Sequence, residues 1–114
     1  MKMNIDNKAI VEALLTENGY IDLIAHGTSM LPTIVDGEQI RITKSESFTV
    51  GDIVAYWTED EINIIVHRIV YIHKKKVFIK GDNNPEIEKV VNISRIIGKY
   101  DTLNKAKSFK QGSN

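Results

Sequence analysis

Several short stretches of this 114-residue chain hold residue types that could do chemistry. The first is Gly27-Thr28-Ser29-Met30-Leu31-Pro32-Thr33, a serine among small residues with a proline close behind it. Proline fixes its own φ and disfavours helix in the residue before it, so Ser29 is expected at a bend between extended segments. A hydroxyl held at such a bend can attack a carbonyl while nearby backbone N–H groups receive the developing charge. The same residue types also build an ordinary polar turn. The stretch alone does not choose between the two.

A serine hydroxyl needs a base, because its own pKa is far too high for it to ionise near neutrality. The chain offers His26, His67 and His73. His26 approaches the serine on the same extended segment, and His73 stands beside Lys74-Lys75-Lys76 at a hairpin end. His67 lies mid-strand among apolar residues, where desolvation keeps an imidazole neutral and able to accept a proton. Its alternative is a core histidine bonded to a carbonyl. Gly81-Asp82-Asn83-Asn84 supplies a carboxylate that could orient a histidine or close its own turn. No histidine pair, alone or with Asp82, has a metal-ligand spacing. With 0 cysteines there is no thiolate site, disulfide or cysteine nucleophile. The chemistry calls for neither a metal nor an organic cofactor.

Taken together, Ser29-Met30-Leu31-Pro32-Thr33, then Gly51-Asp52 opening a strand, then Val66-His67-Arg68-Ile69, then Lys80-Gly81-Asp82-Asn83-Asn84 follow one another at compact spacing. This order resembles the signal peptidase family, within the wider S24/S26 clan shared with self-cleaving SOS repressors. The resemblance spans about residues 20 to 100. It implies that Ser29 is the nucleophile. His67-Arg68 resembles the histidine branch, found in archaeal, endoplasmic-reticulum and sporulation members, where bacterial members carry lysine. The resemblance also implies an acid in or just beyond the Gly-Asp-Asn box. Asp82 fills that position first, and Glu88, with Glu86 near it, is the alternative. Gly27 stands where some bacterial members carry an oxyanion-binding serine. Backbone N–H groups at Ser29 and the Thr28 hydroxyl are therefore expected to serve, with Met30 and Pro32 helping to position substrate. The family normally has a membrane-spanning segment before its serine box, and here a short helix takes that place.

The elements that must hold these residues can be read from periodicity. Residues 7 to 18 predict a helix, capped by Asp6 or Asn7, with Ala9, Ile10, Ala13 and Leu14 at helical spacing and Gly19 as its stop. Strands are expected at 20–25, 39–43, 53–57, 62–73 and 77–80, with a final one from Val90 to Tyr100. On strict alternation, Ile65, His67, Ile69 and Tyr71 share one face of the long strand, and Arg68 takes the other. The fold class is mainly β: a compact coiled sheet or partly open barrel of the signal peptidase and SOS-repressor C-terminal type, with one short N-terminal helix. Residues 1–102 are read as a single peptidase-like domain and 103–114 as a polar, loosely ordered tail.

Bulk composition narrows the partners. Fifteen basic residues balance fifteen acidic ones, so no global field favours nucleic acid or an anionic surface. No run is long and apolar enough to span a bilayer, which suggests a cytoplasmic chain or one peripheral to a membrane. The expected function is a serine endopeptidase of signal peptidase type that removes a leader or signal segment from a precursor peptide or preprotein, either free or presented by a membrane-bound partner. The alternatives are a non-catalytic peptide-binding module on the same fold, or a fragment of a self-cleaving transcriptional regulator. The last is disfavoured by the short stretch before the β-rich part and by histidine in place of lysine.

Overall fold

The computed structural model describes residues 2–4 and 8–101. Its elements run β1 (Lys2–Asn4), α1 (Lys8–Asn18), β2 (Tyr20–Ile24), β3 (Gln39–Thr43), β4 (Ile53–Trp57), β5 (Asn63–His73), β6 (Lys76–Lys80), β7 (Lys89–Asn92), a single 3-10 turn (Ile93–Arg95) and β8 (Ile96–Tyr100). The strands form one antiparallel sheet in the order β2-β3-β8-β4-β5-β6-β7, and β1 pairs with the start of β5 off that path. This mainly β, coiled and unclosed sheet with one short helix is the expected architecture.

β4 lies at the centre, and all of its residues are buried because alternate side chains serve different cores. Ile53, Ala55 and Trp57 face a first core with Val11, Leu15, Met30, Ile34, Ile42, Ile64 and Val66. Val54 and Tyr56 face a second core with Ile69, Val77, Ile79, Val91 and Ile96.

Three local expectations are corrected. Helix α1 does end at Gly19, which takes φ +82 and donates its N–H to the Leu15 carbonyl at 3.0 Å. Its buried residues, however, are Val11 and Leu15, while Ile10 is 57% and Leu14 37% exposed. Both stripes have i,i+4 spacing, so period alone did not say which one meets the sheet. The caps Asp6 and Asn7, and the tail from 103 onward, lie outside the described residues.

The single strand expected from Val90 to Tyr100 is instead two strands with different partners. β7 pairs with β6, whereas β8 pairs with β3 and β4. The break is local: the Asn92 side chain accepts from the Ser94 N–H at 2.9 Å and caps a 3-10 turn.

The third correction is on β5. The register shifts between Ile69 and Tyr71, so Ile69 pairs with buried Ile79 and Tyr71 pairs with Phe78 on the other face. A bulge at Val70 breaks the two-residue period and takes Tyr71 off the His67 face.

Candidate active site

Ser29 lies in a compact turn between β2 and β3. Leu31 N–H bonds to the Thr28 carbonyl at 3.1 Å, and Thr33 N–H bonds to the Met30 carbonyl at 2.8 Å. The Leu31–Pro32 peptide within this turn is cis. Met30 is fully buried in the first core. Burial of such a side chain contributes about 1.5–3 kcal/mol and here pins the turn from below. That corrects the expectation that Met30 positions substrate, since its side chain cannot reach one. Pro32 is exposed and lies outside the wall of the cleft described next.

His67 leaves β5 toward this turn. Ser29 Oγ is 3.0 Å from His67 Nε2, within hydrogen-bond distance across 38 residues of chain. Around the pair, His26, Gly27, Thr28, Ile65 and Asn84 complete a shallow cleft of about 320 Å³. A larger hollow of about 550 Å³, lined by Lys8, Trp57, Glu61 and Arg95, contains no histidine and hence no comparable pair.

Burial lowers the His67 pKa from 6.5 to about 4, with Lys80 acting in the same direction and Asp82 against it. The ring is therefore neutral at physiological pH. Glu88 Oε2 lies 2.8 Å from Nδ1, but Nδ1 makes no aligned hydrogen bond, so the contact is a close electrostatic one. A carboxylate at that distance also favours the imidazolium and opposes the effect of burial.

Asp82, the acid expected first, is elsewhere. Arg68 holds it bidentately, Nε to Oδ1 at 2.7 Å and Nη2 to Oδ2 at 2.8 Å, and the Thr33 hydroxyl donates to Oδ2 at 2.6 Å. The Arg68 guanidinium, with help from Thr33, holds the Asp82 carboxyl below the usual carboxylate range. Asp82 is committed to this pair on the far face of β5, and Glu88, the alternative acid, stands against His67. Glu86 is exposed in the same connection, and it is Glu88 that pairs with the ring.

Two further sets of contacts bring the stretches together. Arg68 Nη1 also donates to the Gly51 carbonyl at 2.8 Å, so one guanidinium joins the Gly51-Asp52 turn to Asp82. The turn after β6 clasps the serine turn: Asn83 N–H bonds to the Ser29 carbonyl at 2.8 Å, Asn83 Nδ2 to the Thr28 carbonyl at 3.1 Å, and Asp82 N–H to Met30 Sδ at 3.3 Å. Gly81 makes the clasp possible, since a Cβ there would stand 2.6 Å from the Ser29 carbonyl oxygen. Arg68, Gly81 and Asn83 were not singled out from sequence. Their signal was there only as membership of the four ordered stretches.

The family model described as Peptidase S24-like matches residues 3–100. The chain belongs to the S24-like peptidase family. No curated protein matches it. Typical S24-like peptidases are serine peptidases, and the turn that carries Ser29 is clasped in this domain directly beside a buried, neutral histidine. Among the described residues, the S24-like domain has no grouping of His, Cys, Asp or Glu able to hold a metal, and no helix long and apolar enough to cross a membrane.

Proposed function

We propose that this S24-like domain is a serine endopeptidase of the signal peptidase type, histidine branch, that removes a leader or signal segment from a precursor peptide. The observation that carries the reading is the 3.0 Å approach of Ser29 Oγ to Nε2 of a buried His67. In the tautomer with a proton on Nδ1, Nε2 is free to accept the serine proton. His67 takes that proton as Oγ attacks the scissile carbonyl carbon. It then returns the proton to the leaving amine as the C–N bond breaks, leaving an acyl ester on Ser29. Water, deprotonated by the same ring, attacks the ester, and Ser29 recovers its proton as the acid product leaves. Glu88, close to Nδ1, stabilises the imidazolium formed in each half-reaction. Backbone N–H groups at the serine turn receive the oxyanion, with the Thr28 hydroxyl beside them.

The substrate is an extended segment laid along strand edges at the cleft. The resemblance to signal peptidases suggests small residues before the cleaved bond. The family match also covers self-cleaving proteins, but histidine rather than lysine as the serine's partner favours cleavage of a separate chain.

The test is cleavage of candidate precursor peptides, with wild type and Ser29→Ala compared by mass spectrometry. The reading expects cleavage by wild type only, with peptide binding retained in the variant, because the hydroxyl adds little to ground-state contact. Equal cleavage by both proteins removes Ser29 as the nucleophile. Tight binding without cleavage by either makes the domain a binding module. A shortened wild-type chain in the absence of peptide makes it self-cleaving.

A further inference from the structure

Lys80, the last residue of β6, plays no part in the reaction as described so far. Its ammonium donates to the Gly81 carbonyl at 2.9 Å and to the Asn84 carbonyl at 2.5 Å. The Asn84 N–H closes on the Gly81 carbonyl at 3.0 Å, so the turn 81–84 is gathered at both ends onto one cation. That turn reaches two ways. Through Asn83 it holds the backbone of Thr28 and Ser29. Through Asn84 Nδ2 it donates to Glu88 Oε1, the free oxygen of the carboxylate whose Oε2 faces His67. The turn has no slack on the serine side, where Gly81 already lies against the Ser29 backbone.

We propose that Lys80 is a positioning residue for the peptidase reaction, its ammonium setting the one turn that fixes Ser29 by its backbone and Glu88 by its carboxylate. The proposal rests on the serine peptidase reading above. A lysine suits the task because it presents several donors on a flexible stem and needs no planar partner. Its half-buried ammonium carries the same charge as an imidazolium. It therefore also favours the neutral ring that the first step requires. An ordinary strand-end lysine would point into solvent; this one turns back onto two main-chain oxygens.

The experiment compares wild type, Lys80→Met and Lys80→Arg by two independent readouts. The first is amide hydrogen exchange at Asn83 and Asn84, whose N–H groups bond to Ser29 and Gly81. It needs no substrate. Lys80→Met is expected to speed exchange there about tenfold or more while β4 and β5 amides keep their protection. The second is kcat and KM on a cleaved precursor peptide. In Lys80→Met, kcat should fall about tenfold to a hundredfold at nearly constant KM, as small misplacements of reacting groups do. Lys80→Arg keeps the cation and should restore most of both. The proposal is overturned if Lys80→Met leaves exchange and kcat unchanged. It is also overturned if protection is lost across the whole sheet, which makes Lys80 a general stability residue. Should wild type cleave nothing, the peptidase reading fails, and the exchange comparison still decides whether Lys80 fixes the turn.

Discussion

His67 and Arg68 are neighbours on β5 and leave it on opposite faces, and the connection that follows β6 sends a carboxylate to each. On one face Arg68 and Asp82 meet through paired bonds of 2.7 and 2.8 Å, with the acid the better buried partner at 16% exposure against 32%. On the other, His67 is 7% exposed, and Glu88, at 38%, approaches by a single 2.8 Å contact. The arrangement is inverted between the faces. A permanent cation with a forked, buried acid makes a fixed joint, and it ties Gly51, Thr33 and Asp82 together. A buried ring with an accessible acid makes a group that is neutral at rest and stabilised once it gains a proton. Two adjacent residues thus divide a fixed joint from a group poised to change its charge.

The comparison can be broken most directly at the ring. His67→Gln should lower kcat by about 10⁴-fold or more on a cleavable peptide, while the Arg68 joint keeps the fold intact. A variant that cleaves at more than a tenth of the wild-type rate would move the base elsewhere.

Next is the acid of the chemical face. Glu88→Gln should cost about 10²- to 10⁴-fold in kcat. It also has a sign to check. Wild-type kcat/KM should rise with pH as His67 loses its proton, with a midpoint below 6.5 and toward about 4. Glu88 favours the imidazolium, so its removal should move that midpoint lower still; an unchanged midpoint would mean Glu88 does not face the ring in solution.

Stability against pH separates the faces again. The unfolded chain protonates His67 near 6.5, whereas the folded chain resists until about 4, so stability should fall by up to about 3 kcal/mol as pH drops through that window. Asp82 has a depressed pKa, so its contribution is present above its unfolded value and lost only as pH falls below that. Urea titrations of His67→Gln should lack the first loss and keep the second.

The smallest effect is expected on the structural face. Asp82→Asn should cost about 2 kcal/mol in urea unfolding, the scale of lost hydrogen bonds to a charged group. It should shift the kcat/KM midpoint less than Glu88→Gln does. A larger shift would return Asp82 to the catalytic role.

Much of this framework was readable from residue types. β3 and β4 fall at 39–43 and 53–57 as expected, because β3 alternates regularly, β4 is a short apolar run, and each is bounded by turn residues. His67 and Ser29 were singled out by their surroundings and by the order of the four stretches. The choice between Asp82 and Glu88 was not readable. It depends on Arg68 capturing Asp82 across a strand pair, and local residue types do not encode that capture. The bulge at Val70 and the break at Asn92 were missed for a related reason. Each is a local exception that a period averages over. β1, three residues of mixed polarity, has no periodic signal at all.

The clasp between the two turns also orders events in time. His67, Arg68, Asp82 and Glu88 all lie on the β5-β6-β7 meander, where neighbouring strands close short loops. Ser29 meets His67 across 38 residues, and Thr28 meets Asn83 across 55. Closing long loops costs more entropy, so the meander can assemble its histidine and both carboxylates before the serine turn docks. On a ribosome the serine emerges first and waits for a partner not yet made. The half-made chain therefore carries the Ser29 hydroxyl with no imidazole beside it, and on the peptidase reading the capacity to cut would arise only when little of the chain is left unfolded to be cut.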